Sequence, residues 1–415
     1  MLSWEYPPRL VGGISRHVQE ISRALVTRGE RVEVITAPHE NTPIYENDEG
    51  VHVHRVLVDL DTSDFLAWVG RLNRHMEAEV DALLRARAEE GRTDEVVIHA
   101  HDWLTAQAAK NLKLKHRLPV VATIHATEYG RNHGLHSDLN RTISAVEWDL
   151  SFEAWRVIAC SYYMRDEINF CFQTPLEKMD VIPNGIDAGK FDHEFDHDDF
   201  RSSFAAPNEK IVFFVGRMVR EKGAAVLIDA FARVLERYND AKLVIAGGGH
   251  REHLVRQAES LGIGNRVYFT GYVDDQTLVR LYLVADVAVF PSLYEPFGIV
   301  ALEAMAAGTP VVVSDAGGLR EVVSHGVDGI STWLNNPDSL AWGIMQSLGD
   351  PESARKMAAN ARNKVLREFS WDRIAAMTQD TYNRVVYEFH QSGWNPEGTD
   401  NRKPAGKKLK QTAGG

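Results

Sequence analysis

Two spacings of apolar residues alternate along the chain. Short continuous apolar runs at 31–36, 51–58, 96–100, 119–124, 157–159 and 181–182 read as strands, most of them buried on both faces. A second series follows at 211–215, 243–246, 267–270, 287–290 and 311–313. Between the strands the apolar positions recur every three or four residues. Ile14, Val18, Ile21, Leu25 and Val26 mark a helix over 14–28. The same spacing predicts helices at 65–87, 103–115, 140–152, 162–172, 226–237, 253–261, 353–368 and 371–389. Asp102 stands where it would cap the helix at 103–115. Strands alternating with helices predict parallel sheets in each series.

The two series meet at Pro183-Asn184-Gly185-Ile186-Asp187, a run of turn residues with the charged stretch 193–200 behind it. The boundary belongs there, giving an N-terminal domain over 1–187 and a second over 188–370. The helix at 371–391 follows, and the polar, Gly-, Pro- and Lys-containing tail at 392–415 is expected to be disordered. A length of 415 residues agrees with two cores rather than one. The net charge of −12 argues against nucleic acid or an anionic membrane as a bulk partner. No apolar run is long enough to span a bilayer and no secretory signal opens the chain. Two cysteines, Cys160 and Cys171, fit a reducing compartment, so cytoplasmic residence is expected. Nothing in the pattern fixes an oligomeric state.

The stretch 291–314, PSLYEPFGIVALEAMAAGTPVVVS, carries most of the chemistry. Pro296 keeps Glu295 out of the helix, Gly298 frees the backbone, and a helix is expected over 299–307 with Gly308 as its stop. Glu295 then lies in the mouth of a loop and Glu303 about two turns into the helix. The amides of Phe297, Gly298 and Ile299 face a helix N-terminus, where anionic oxygens bind. Taken singly, each glutamate is most simply a solvated side chain. A second motif, Gly216-Arg217-Met218-Val219-Arg220-Glu221-Lys222-Gly223, places two fixed cations after a strand, suited to phosphate oxygens. Gly12-Gly13 opens the first helix and lets a ligand approach the backbone.

The pattern E-x7-E within YEPFGIVALEAMAAGTPVV resembles glycosyltransferase family 4. That resemblance implies an α/β, GT-B architecture: two Rossmann-like domains facing an interdomain cleft, with the last helix crossing back to the N-domain. It also implies retention of configuration at the transferred sugar. By the resemblance Glu295 meets the donor sugar and Glu303 the nucleotide ribose, while Arg217 and Lys222 hold the donor diphosphate. Tyr272 and Val273 would lie by the base, with backbone contact. HAHDWLTA and ATIHATEYGR resemble the glycogen and starch synthase branch, which brings Asp102, His125 and Asn184 to the transferred sugar. The resemblance covers roughly residues 1–390. Glu303 stands where bacterial starch synthases using ADP-glucose often carry another residue, and the N-domain is shorter than theirs. The first strand is short for the family, which leaves open a late recorded start or a truncated strand.

The implied activity moves a hexosyl group, glucosyl first, from ADP- or UDP-glucose to an α-glucan. A small sugar, sugar phosphate or lipid acceptor is the alternative within that class. An epimerase or phosphorylase on the same fold, or a silent sugar-binding protein, are the alternatives outside it. No metal or other cofactor is expected. His99 and His101 share one side of a strand but lack a completing ligand pair in sequence, and Asp59 and Asp61 read as a solvated loop.

Overall fold

The structure is a computed structural model and describes residues 1–395. The expectation of a disordered tail therefore falls, from residue 396 onward, outside the described residues. The first sheet contains β1 (Leu2–Ser3), β2 (Glu33–Thr36), β3 (Tyr45–Asp48), β4 (Val51–Arg55), β5 (Ile98–His101), β6 (Val120–Ile124), β7 (Arg156–Ala159) and β8 (Met179–Val181). Their order is β3-β4-β2-β1-β5-β6-β7-β8. The second sheet contains β9 (Lys210–Val215), β10 (Ala241–Ala246), β11 (Val267–Gly271), β12 (Val287–Phe290), β13 (Val311–Ser314) and β14 (Ile330–Thr332), ordered β11-β10-β9-β12-β13-β14. In both sheets the order reverses beside the first strand of the series, and open α/β sheets bind ligands at the carboxyl edge of such a point.

All pairings are parallel except one. β3 returns antiparallel on β4 through Glu49-Gly50, both at positive φ. The expectation of wholly parallel sheets misses this edge strand because its residues, Tyr45-Glu46-Asn47-Asp48, are mostly polar and half-exposed. The central strands are apolar on both faces. Val121, Ala122, Val212, Phe213, Val244, Ala288 and Val289 are fully buried, as strands covered by helices on each side require.

The last helix, Trp371–Gln391, leaves the second domain and lies against the first helix, Gly13–Thr27. Tyr382 bonds His99, Thr381 bonds Asp180 and Trp155 bonds Glu388, so this helix is anchored in the N-terminal sheet. The chain crosses between domains twice, and the crossings touch. Ile186 pairs with Ser370 as an isolated bridge, and the Ile186 amide donates to the Phe369 carbonyl at 2.8 Å.

Candidate active site

The carboxyl ends of β9 and β12 bring the two motifs of the second domain together. After β9 the chain makes a single turn over Arg220–Lys222 and reaches Gly223 at φ 71°. A Cβ at Gly223 would lie 1.9 Å from the Pro291 carbonyl oxygen, so only glycine lets the two loops meet. The Leu293 amide donates to the Glu221 carbonyl at 2.7 Å and locks them. Lys222 Nζ then lies 2.7 Å from Glu295 Oε2, and Ser292 Oγ donates to the same oxygen at 3.0 Å. Glu295 is 7% exposed, so its charge is balanced inside the protein by Lys222. Arg217 stands apart. Its side chain is 58% exposed, with Glu221 at 3.6 Å.

Beyond Glu295, Gly298 takes φ 113° and starts the helix Ile299–Ala306. Its first amides cannot find an acceptor within the helix. Glu303 points inward from this helix. Tyr282 donates its hydroxyl to Glu303 Oε2 at 2.8 Å, and burial raises the Glu303 carboxyl above its ordinary range. Arg16, from the first helix of the N-domain, crosses the cleft to Glu303 Oε1 at 3.7 Å and also pairs with Asp275. The Gly-Gly turn closes in at the same place: a Cβ on Gly13 would come within 3.2 Å of Ile299 Cδ1. The amides of Val11 and Gly12 donate to the buried Glu5 carboxylate at 2.7 and 3.0 Å. The Gly12 amide is therefore engaged within the N-domain rather than directed to a ligand.

Across the cleft, β5 and β6 end in His101-Asp102 and His125. Asp102 does not cap the helix behind it, contrary to the sequence expectation, because its side chain makes no cap bond. It takes φ 58° and ψ 172°, a region that costs on the order of 1–3 kcal/mol for a residue with a side chain. That conformation turns Asp102 Oδ1 onto the His125 amide at 2.7 Å, with Arg131 at 3.6 Å from Oδ2. Asp102 is 2% exposed, and burial pushes its carboxyl up to about 6. Burial pulls His125 down to about 3, so its imidazole is neutral at pH 7. His125 Nε2 lies 3.2 Å from His101 Nδ1. The His17 ring stands edge-on to His125 at 4.8 Å between centroids, beside the buried side chain of Asn184.

The structure thus gathers Asp102, His125 and Asn184 on one wall of the cleft and Lys222, Glu295 and Glu303 on the other. Tyr272 and Val273 follow β11 at the same sheet edge, with Tyr272 72% exposed and Val273 packed on the core. His99 is saturated, with Tyr382 at 2.6 Å and Thr123 at 2.7 Å. Asp59 pairs with Arg71 and Asp61 receives the Ser63 amide, which makes that pair a braced loop. Arg16, His17, Arg131, Tyr282 and Ser292 were not foreseen. His17 had a signal: it sits three residues after Ile14, on the apolar stripe of its helix.

Two family models match the chain. Residues 11–190 match the model described as Glycosyltransferase Family 4 and residues 196–364 that described as Glycosyl transferases group 1. An uncharacterized glycosyltransferase of Methanocaldococcus jannaschii is 43% identical over 387 residues, covering 92% of this chain and 97% of that protein. The chain belongs to glycosyltransferase family 4. A glycogen synthase of Mycobacterium tuberculosis is 37% identical over 394 residues, covering 92% of this chain and 93% of its own length. Among solved structures, a sucrose-phosphate synthase from Thermosynechococcus elongatus aligns with a TM-score of 0.78 and 26% identity, over 91% of this chain and 94% of that one. The architecture is the GT-B fold of this family. Among the described residues no helix is long and apolar enough to cross a membrane.

Proposed function

We propose that this glycosyltransferase moves a glucosyl group from a nucleoside diphosphate sugar to the hydroxyl of an α-glucan, with retention and without a metal ion. The observation that carries the reading is the Lys222–Glu295 pair at 2.7 Å, set at the carboxyl edge of one sheet and facing Asp102 and His125 at the edge of the other. Lys222 and Arg217 receive the diphosphate, joined by the free amides at Ile299 and Val300. Glu295 accepts hydroxyls of the sugar, and Glu303 those of the ribose. Asp102, His125 and Asn184 close on the sugar from the other domain, His125 as a neutral hydrogen-bonding group.

In the reaction the bond from the anomeric carbon to the phosphate oxygen breaks, and a bond to the acceptor oxygen forms on the same face. The acceptor proton passes to the departing phosphate. Charge grows on that phosphate, where fixed cations have their largest effect. The similarity to a protein named glycogen synthase supports the glucan acceptor. The likeness to a sucrose-phosphate synthase favours a second reading, a small sugar phosphate as acceptor. Two free cysteines are consistent with a cytoplasmic setting.

The test is a panel of labelled ADP-, UDP- and GDP-glucose with glycogen, maltooligosaccharides or sugar phosphates, read as nucleoside diphosphate release and as product linkage by NMR. An α-linked glucan extended from one donor is expected. Release with sugar phosphates alone selects the second reading, and no transfer from any donor removes both.

A further inference from the structure

We propose that His17, His101 and His125 form a binding site for a divalent transition-metal ion of the zinc class, and that its occupancy switches glycosyl transfer off. The binding half stands on the geometry alone. The switching half rests on the role of His125 in the proposed function.

Each of the three histidines offers a ring nitrogen within 4.8 Å of the other two. His101 Nδ1 and His125 Nε2 are 3.2 Å apart. Two imidazoles on one tetrahedral zinc ion have nitrogens separated by roughly 3.3 Å, given bond lengths of about 2.0–2.1 Å. A hydrogen bond accounts equally for that one distance. It does not account for His17, whose Nδ1 is buried and has no hydrogen-bond partner. Buried polar atoms are seldom left so, and one inside a histidine cluster points to a ligand.

The surroundings suit a cation of this kind. The three histidines come from the first helix, the end of β5 and the position after β6, all in one domain, and side-chain rotation would draw nitrogens now within 4.8 Å of one another to about 3.3 Å. His99 stacks on His101 at 4.3 Å between centroids and is held by Tyr382 and Thr123, which fixes the His101 ring without supplying a ligand. Asp102 bonds the His125 amide and faces Arg131 at 3.6 Å from Oδ2, so the charges beside the cluster are paired. Imidazole nitrogens select zinc, copper, nickel or cobalt over magnesium or calcium, which prefer oxygen. An ion bound here would engage the His125 ring that the proposed function sets against the transferred sugar.

The experiment uses the full chain, stripped with EDTA and exchanged into metal-free buffer, with Co²⁺ as a visible probe. Saturable d–d absorption of a four-coordinate ion is expected, abolished by Zn²⁺ and untouched by Mg²⁺. His17→Gln and His101→Gln, each checked for folding by circular dichroism, should weaken Co²⁺ at least roughly tenfold. X-ray absorption of the zinc-loaded wild-type chain should count three imidazoles, and this needs no variant. No cobalt band, wild-type affinity in both folded variants, or fewer than three imidazoles would each overturn the site. In parallel, Zn²⁺ should inhibit transfer at the concentration that displaces Co²⁺, and EDTA should restore it. Zinc bound at the three imidazoles with transfer undiminished overturns the switch and leaves the site standing. A cobalt band in a protein that transfers nothing counts against the proposed function instead.

Discussion

Replacing Asp102 by asparagine should make the protein more stable and less active, with a pH dependence fixed by one group. Asp102 is buried, and its carboxyl rises from 3.8 to about 6 even with Arg131 nearby. A shift of roughly two units corresponds to about 3 kcal/mol of disfavoured charge. The folded pKa lies above the unfolded one, so the cost is absent below pH 4, grows from pH 4 to pH 6, and is full above. Asparagine keeps an oxygen to accept from the His125 amide, which donates to Asp102 Oδ1 at 2.7 Å in the wild type, and removes the charge. The gap in stability between Asp102→Asn and the wild type should therefore open between pH 4 and pH 6 and stay flat to pH 8, with the variant ahead by up to ~3 kcal/mol. Urea unfolding at several pH values, followed by fluorescence and circular dichroism, measures it. Two domains can unfold separately, so the transition of the N-domain is the one to fit. Transfer at pH 7.5 should meanwhile fall, because the lost carboxylate accepts a sugar hydroxyl in the proposed reaction. A variant less stable than the wild type at pH 7, or a gap that does not change with pH, refutes the reasoning.

Lys222→Ala should lose roughly 2–4 kcal/mol of transition-state stabilisation in kcat/KM. It should also lower the unfolding midpoint, because Glu295 is left buried with Ser292 as its remaining donor. Arg217→Ala should lose turnover while stability stays within about 0.5 kcal/mol, since that side chain is 58% exposed; unchanged kcat/KM in both variants would remove the phosphate clamp. Transfer should persist in excess EDTA, because Lys222, Arg217 and a helix N-terminus supply the positive charge; loss restored by Mg²⁺ or Mn²⁺ would contradict this. Small-angle scattering should give a smaller radius of gyration with donor bound, the domains turning about the adjacent crossings at Ile186 and Ser370. A donor-saturated enzyme that turns over with unchanged scattering would exclude closure.

The strands were legible because parallel strands covered on both faces must be continuously apolar, and 211–215 or 311–313 have no other reading. β3 was not, since an exposed edge hairpin needs no apolar residue. The positions of Glu295 and Lys222 within their loops were legible as well, from Pro296, Gly298 and Gly223. Their partnership was not. It joins residues far apart in sequence through one glycine against a carbonyl and one hydrogen bond from the Leu293 amide to the Glu221 carbonyl. Asp102 shows the opposite failure. Its place before a helix fits a cap, but the strained backbone turns the carboxylate to the neighbouring strand, and no local rule anticipates that choice.

The same limit hid a property common to the cleft carboxylates. Each already faces a cation in the free protein: Glu295 has Lys222, Glu303 has Arg16 and Asp102 has Arg131. A buried carboxylate without such a partner would be costly, so the site is balanced while empty. On the proposed reading, a donor therefore binds by exchange. Its diphosphate takes Lys222 from Glu295, whose oxygens turn to sugar hydroxyls, and its ribose takes Glu303 from Arg16. Each exchange trades one charged contact for another, so net affinity arises from the remaining contacts and from domain closure rather than from the charges alone. Arg16 spans the cleft from the N-domain, so releasing it also frees a tie between the domains. Donor recognition and movement of the domains are in this way joined at a single side chain, one that neither sequence motif includes.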